Sequence, residues 1–282
     1  MFTPPPRVAA WAPQGRAAIW GRSGGTAVNY NWNWGIFWQI SPDGAHTYFQ
    51  LLLLGTWWTL ATAFSAWILA LVFGSLIGVA RTTPNKWLVR FGNAYVELFR
   101  NIPLLVQMFL WYFVLPEVVP ASLGIWLKQQ HNASFYTAVV ALGLYSSSRV
   151  AEQVRAGILS LPRGQRFAGQ ALGLTLPQTY RYVLLPMAYR IILPPLTSEF
   201  LNTIKNSSVA LTIGLLELTA RARAMQEFSF QVFEAFTAAT IIYIIINVII
   251  TEGMRRLERH VAIPGYLGGK VPKRGKLRLR NV

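Results

Sequence analysis

Phe49 to Ala80 reads FQLLLLGTWWTLATAFSAWILALVFGSLIGVA, 32 residues without one charged side chain. A helix needs about 20 apolar residues to cross the hydrocarbon core of a bilayer, so this run predicts a membrane span with turns to spare. The composition around it agrees. Of 282 residues 53% are hydrophobic and 13% charged, against roughly 25% charged in an ordinary soluble domain. The formal net charge of +16 does not indicate a nucleic-acid binder, which clusters its cations on a polar, soluble fold; here they flank long apolar runs. There is no cysteine, and His46, His131 and His260 lie far apart in the chain, so neither a disulfide framework nor a metal site is expected.

Toward the C-terminus, a cationic turn RTTPNKWLVR leads into a second span from about Leu88 to Leu115. NASFYTAVVALGLYSSS, from Asn132 to Ser148, predicts a third, and the unusually polar LPPLTSEFLNTIKNSSVALTIGLL, from Leu193 to Leu216, a fourth. The fifth is AFTAATIIYIIINVIIT, bounded by Glu234 and Glu252. Toward the N-terminus, NYNWNWGIFW has the Trp and Tyr rings of a membrane interface. Residues 1–28 are rich in Pro, Gly and Arg and lack the apolar run of a signal peptide. They read as a disordered extension, followed by a membrane domain over 29–260 and a basic tail over 261–282. Val28 also suits a GTG start, in which case residues 1–27 are not translated.

The side of each loop follows from its cations. Arg81, Lys86 and Arg90, then Arg155, Arg163, Arg166 and Arg181, then nine Lys or Arg from Arg255 to Arg280 all fall on one face. On the other face Glu117 balances Lys128, and Glu217 and Glu227 balance Arg221 and Arg223. The basic face is therefore expected in the cytoplasm and the N-terminus outside. The basic tail suits either anionic lipid or a solvated signal that holds the topology.

Between the third and fourth spans stands LPRGQRFAGQALGLTLPQTYRYVLLP, Leu161 to Pro186. Glu152 to Leu161 suits a helix leaving the third span, which Pro162 and Gly164 then break. Gln165 to Leu172 predicts a short helix pairing Phe167 with Ala171 and Ala168 with Leu172, ended by Gly173 in a left-handed conformation. Thr175 and Gln178 then have capping-box spacing, and Pro186 is expected to stop the chain again. An apolar stripe beside Ala168, Gly169 and Ala171 suits a groove on another protein and a lipid surface equally well.

The fourth span carries Glu199, Asn202, Lys205, Asn206, Ser207 and Ser208. A charge at the centre of a membrane helix costs about 2.5–3.5 kcal/mol on insertion scales, so these groups face protein or water. Either they line a path for a zwitterionic substrate, with Lys205 as its charge partner, or Lys205 and Glu199 satisfy each other or reach an interface. Gln107 is a further path candidate. Glu97 and Arg100, spaced i,i+3, suit a structural ion pair.

The run from Glu152 through "LPRGQRFAGQALGLTLPQ" to "SEFLNTIKNSSVALTIGLLELTARARAMQE" resembles the cytoplasmic loop and following helix of ABC-importer permeases for polar amino acids, the glutamate/aspartate permeases above all. The matching positions are Glu152, Arg155, Gly157, Gly164, Gln165, Leu172, Gly173, Leu185 and Pro186; where the family has Glu-Ala-Ala, this chain has Phe167, Ala168 and Gly169. The resemblance implies an all-α membrane protein of the type I importer fold, with five transmembrane helices and a cytoplasmic coupling helix. It implies as partners a second, related permease subunit, a cytoplasmic ATPase dimer that binds ATP and Mg, and a periplasmic solute-binding protein. No catalysis or cofactor is expected of this chain, and no G-x-x-x-x-G-K-[ST], G-x-S-x-G or H-E-x-x-H motif occurs in it. The competing readings are an ATP-independent carrier or channel, for which a docking helix has no evident use, and a membrane-embedded enzyme, for which no catalytic cluster is in sight.

Overall fold

The computed structural model describes residues 30–261; the expectations for the N-terminal extension and for the tail beyond Val261 lie outside them. The chain divides into two units, Met1–Asn33 and Trp34–Val282. In the first, the rings of Tyr30 and Trp32 meet edge-on at 4.9 Å. The second contains all nine α-helices found among the described residues: α1 (Tyr48–Ala80), α2 (Lys86–Asn101), α3 (Leu104–Val118), α4 (Ala121–Gln129), α5 (Ala133–Leu159), α6 (Arg163–Ala171), α7 (176–206), α8 (Leu218–Ser229) and α9 (Val232–Val261).

Helix α1 begins at a capping box. Thr47 accepts from the Gln50 amide at 3.3 Å and its own amide donates to Gln50 Oε1 at 2.9 Å, which satisfies two of the donors a helix start leaves free. Along α1, Gly74 and Gly78 are spaced for close helix contact. A Cβ on Gly74 would stand 2.6 Å from Val150, and one on Gly78 2.7 Å from Val154, so any side chain there pushes α1 off α5. The main core lies between these two helices and α7. Ala63, Trp67 and Ala70 meet Val150 and Val154 together with Ala188, Ile192, Leu196 and Phe200, and Trp67 stacks on Phe200 at 5.1 Å.

Helices α1 and α9 are long and apolar enough to cross a membrane, and α2 with α3 pass the same test only as a pair bent by 101°. The single second span expected from Leu88 to Leu115 is thus broken. Pro103 has no amide to continue α2 and holds Ile102 in an extended conformation (φ −95°, ψ 125°). Helix α2 is amphipathic, burying Gly92 and Val96 while Trp87, Phe91 and Leu98 stay exposed. Helices α5 and α7 turn polar side chains inward, with Ser146, Ser147, Ser148, Thr197 and Thr203 all buried.

As expected, Glu152 to Leu159 leaves the third apolar stretch as a helix, continuing α5 from Ala133. Two boundaries differ from expectation. Pro186 does not stop the chain: α7 carries on past it, and past Pro194 and Pro195. The reason is a π turn over Tyr180–Leu184, in which the Leu185 amide reaches back to the Tyr180 carbonyl. Shifting to an i→i+5 bond just before the proline absorbs the register change its missing N–H imposes. Helix α3 does the same at Leu110–Val114, where Leu115 bonds Leu110 just ahead of Pro116. Lastly, the expected fourth span begins earlier and ends earlier, because α7 stops at Asn206 and tightens into a 3-10 turn, Ser207–Ile213, closed by Gly214 at φ 83°.

Candidate translocation path and coupling surface

Helix α6 hangs between Pro162, its N-cap, and Gly173, which takes the left-handed conformation at φ 79°. The Gly173 amide bonds the Gln170 carbonyl at 3.0 Å and the Leu174 amide the Gly169 carbonyl at 3.2 Å, closing the helix end as a left-handed cap does. Thr175 and Gln178 form the capping box that starts α7, with the Thr175 amide donating to Gln178 Oε1 at 2.8 Å. Of the small residues expected to admit a partner, Gly169 faces its own chain: it is buried, and a Cβ on it would stand 3.0 Å from Thr179. The free side instead presents Phe167 and Leu172, both exposed, with Ala168. A Cβ on Gly164 would meet nothing within 4 Å. A cavity of about 480 Å³ opens beside α6, lined by Arg163, Arg166, Phe167, Gln170, Thr82 and Tyr180 among others. The Tyr180 hydroxyl donates to the Thr82 carbonyl at 2.7 Å, tying the start of α7 to the end of α1. Gln165 is half-buried, and its Oε1 lies buried without a partner.

The remaining motif residues, Glu152, Arg155 and Gly157, lie on α5. Glu152 Oε1 accepts from Arg81 Nη2 at 2.9 Å, Arg100 Nη1 stands 3.5 Å away, and Arg155 Nη1 lies 3.9 Å from Oε2. Arg81 also donates to Asn93 Oδ1 at 2.8 Å, and its side chain is only 6% exposed. One carboxylate therefore joins α1, α2 and α5. Arg100 takes this partner rather than Glu97, which forms no ion pair among the described residues. Gly157 is a packing position, since a Cβ there would stand 2.5 Å from Ile192 on α7.

The polar residues of α7 divide into two groups. Glu199 pairs with Arg149 on α5 at 3.6 Å, and Arg149 is held in turn by the Tyr145 hydroxyl at 2.6 Å. Lys205 has no carboxylate partner among the described residues; it is exposed and lines a groove of about 560 Å³ against Thr240, Tyr243, Asn247 and Thr251 of α9. The hydroxyls of Ser207 and Ser208 turn back to the Ile204 and Lys205 carbonyls, each at 2.7 Å. Asn202 and Asn206 are half-buried. Gln107 stands apart from these residues, at the α2–α3 bend. Its amide donates to the Phe99 and Ile102 carbonyls, each at 2.9 Å, covering acceptors that the break at Pro103 leaves free.

Glu217, read from the sequence as a balancing surface charge, is fully buried. It caps α8, accepting from the Thr219 and Ala220 amides at 2.9 and 2.8 Å. Tyr243 on α9 donates to it at 3.0 Å and Thr59 on α1 at 3.4 Å. A carboxylate at a helix N-terminus is favoured by the free amides and the helix dipole. An acidic residue directly before the helix-forming LTARARA was the one local sign of this role.

Over residues 45–263 the chain matches the family described as "Binding-protein-dependent transport system inner membrane component", and it belongs to that family. It is thus a permease of an ABC importer, a non-catalytic inner-membrane subunit that works with an ATPase and a solute-binding protein. It is 49% identical over 246 residues to the glutamate/aspartate import permease protein GltJ of Escherichia coli (strain K12), covering 86% of this chain and 100% of the relative. It is 34% identical over 213 residues to the probable glutamine ABC transporter permease protein GlnM of Bacillus subtilis (strain 168), covering 76% and 94% of the two chains. Among solved structures, an amino acid ABC transporter with histidines is similar at 30% identity and a TM-score of 0.64, over 76% of this chain and 95% of that one. The MetNI methionine ABC transporter, inward facing, shares the fold at 22% identity and a TM-score of 0.64, over 79% of this chain and 100% of that one.

Proposed function

We propose that this chain is the permease of a glutamate/aspartate importer and that it works beside a related second permease subunit. In this reading α1, the α2–α3 pair, α5, α7 and α9 make five crossings, with the N-terminus periplasmic and the C-terminus cytoplasmic. Helix α6 is the coupling helix. Phe167, Ala168 and Leu172 enter a groove on the ATPase, Gly164 sits where a partner backbone passes close, and Gln165, Arg163 and Arg166 make the polar contacts. Closure of the ATPase dimer, which binds ATP and Mg, moves α6 as a rigid piece between Pro162 and Gly173. The motion reaches α5 through Gly157 and Glu152 and reaches α1 through Tyr180 and Thr82.

The observation that carries the substrate reading is the unpaired Lys205. Arg149 engages Glu199, so the cation in the groove is left to meet an anionic substrate, with Asn202 and Asn206 on the same helix. The full-length likeness to a glutamate/aspartate permease supports the same choice. The test is uptake of radiolabelled glutamate, aspartate and glutamine into proteoliposomes holding this chain, its partner permease, the ATPase and the binding protein. ATP-dependent uptake of the two acids, lowered about ten-fold in Lys205→Gln, is the expected result. Uptake of glutamine in place of the two acids, or acid uptake unchanged in Lys205→Gln, would overturn the substrate reading.

A further inference from the structure

A second cavity adjoins the groove at Lys205. It has a volume of about 410 Å³ and is lined by Arg190 and Pro194 of α7 and by Arg255, Glu258 and Arg259 of α9. Glu252 and Arg255 line both cavities, so the two adjoin. On α9 the residues Thr240, Tyr243, Asn247, Thr251 and Arg255 recur every three or four positions, which places them on one face. That face is polar on an otherwise apolar helix whose Ile241, Ile245 and Ile249 are exposed. From Lys205 to Arg190 is 15 positions of α7, roughly 22 Å of helix rise, against about 30 Å for a hydrocarbon core.

The charges along this line are unevenly paired. Glu252 is held by Arg256 and Arg259, each at 3.3 Å, and Glu258 accepts from Thr197 at 2.8 Å. Arg190 and Arg255 are in no ion pair among the described residues. Lys205, Arg255 and Arg190 thus stand along two adjoining cavities without an ion pair among the described residues, while Glu252 and Glu258 on the same walls are engaged by Arg256, Arg259 and Thr197.

We propose that these two cavities are together the inner half of the translocation path and that Arg255, with Arg190 below it, forms a cytoplasm-side anion station. The station takes the side-chain carboxylate of an acidic amino acid as it leaves Lys205. The inference rests on the permease reading above and extends it to residues of α9 and the lower half of α7. Two weak cationic stations along one path let an anion be bound and yet leave. A single deep site would either exclude it or retain it.

The test compares wild type with Arg255→Gln, Arg190→Gln and Arg255→Lys in the assembled importer, reading glutamate uptake, ATP hydrolysis and the concentration dependence on loaded binding protein. Arg255 is exposed, so the exchange leaves the packing intact. Arg255→Gln is expected to lower maximal glutamate uptake about ten-fold, equivalent to about 1.4 kcal/mol, with the half-saturating concentration of binding protein unchanged. Arg190→Gln lowers uptake less, and Arg255→Lys restores most of the rate. Wild type that transports glutamate beside an equally active Arg255→Gln overturns this inference alone. Wild type that hydrolyses ATP without moving glutamate overturns the glutamate/aspartate reading and this inference with it. A loss in Arg255→Gln that follows the anionic-lipid content of the vesicle assigns the cavity to a lipid headgroup and overturns it as well.

Discussion

Glu152 on α5 and Lys205 on α7 are both charged residues of long helices in the bundle, and their surroundings are opposite. Glu152 gathers Arg81 at 2.9 Å, Arg100 at 3.5 Å and Arg155 at 3.9 Å. Lys205 lines an open groove and forms no ion pair among the described residues, the Glu252 carboxylate of that groove being held by Arg256 and Arg259. Glu217 belongs with Glu152: buried, it is enclosed by two amides and two hydroxyls from three helices. Charges whose partners are all supplied by the same chain hold helices together. Those left open in a groove are available to something that passes through it.

This contrast is broken or sharpened by substitution, and the expected losses of stability descend in a definite order. Glu217→Ala strands two amides, Thr59 and Tyr243 in a buried site, at about 1–3 kcal/mol for each unsatisfied group. A loss of roughly 3 kcal/mol or more is expected in thermal unfolding of the detergent-solubilised chain, with Glu217→Gln recovering part of it. Glu152→Ala leaves the buried Arg81 without its carboxylate. Because Glu152 itself is about a third exposed, at 32%, a loss of about 2 kcal/mol is expected, below the range for a wholly buried pair. Lys128→Ala removes an exposed pair, 2.6 Å from Glu117, and should shift unfolding by no more than about 1 kcal/mol. Lys205→Gln should leave the unfolding curve unmoved while glutamate uptake falls. If it destabilised the chain as much as Glu152→Ala, Lys205 would be a structural charge and the contrast would fail.

The sequence showed best what depends on neighbours along the chain. The uncharged run of α1, the cap at Thr175 and Gln178 and the left-handed Gly173 after α6 are all set by residues within a few positions, and the structure has each of them. It was silent where the partner is distant. Thr59 and Glu217 are 158 positions apart, and no local pattern told that a carboxylate counted among surface charges would be buried. Prolines misled in both directions. Pro103 broke a span that hydropathy read as one, whereas Pro186 was absorbed by a π turn and interrupted nothing. Of the candidate site residues, the polar character of α7 was legible. That Arg149 and not Lys205 would take Glu199 was not, because this depends on how α5 packs against α7. The polar face of α9 lay hidden within the most apolar stretch of the C-terminal half, where single Thr, Tyr and Asn residues hardly alter the average.

The most direct test of coupling through α6 is to measure ATP hydrolysis and glutamate uptake side by side in the same proteoliposomes, for wild type and Phe167→Ala. Phe167 is 64% exposed, so its truncation removes little that the chain itself buries. The account expects uptake to fall about ten-fold, the scale of a truncated aromatic anchor at an interface, with the chain still folded and the stimulation of ATP hydrolysis by loaded binding protein reduced in step. Uptake and stimulated hydrolysis both at wild-type levels in Phe167→Ala would contradict it.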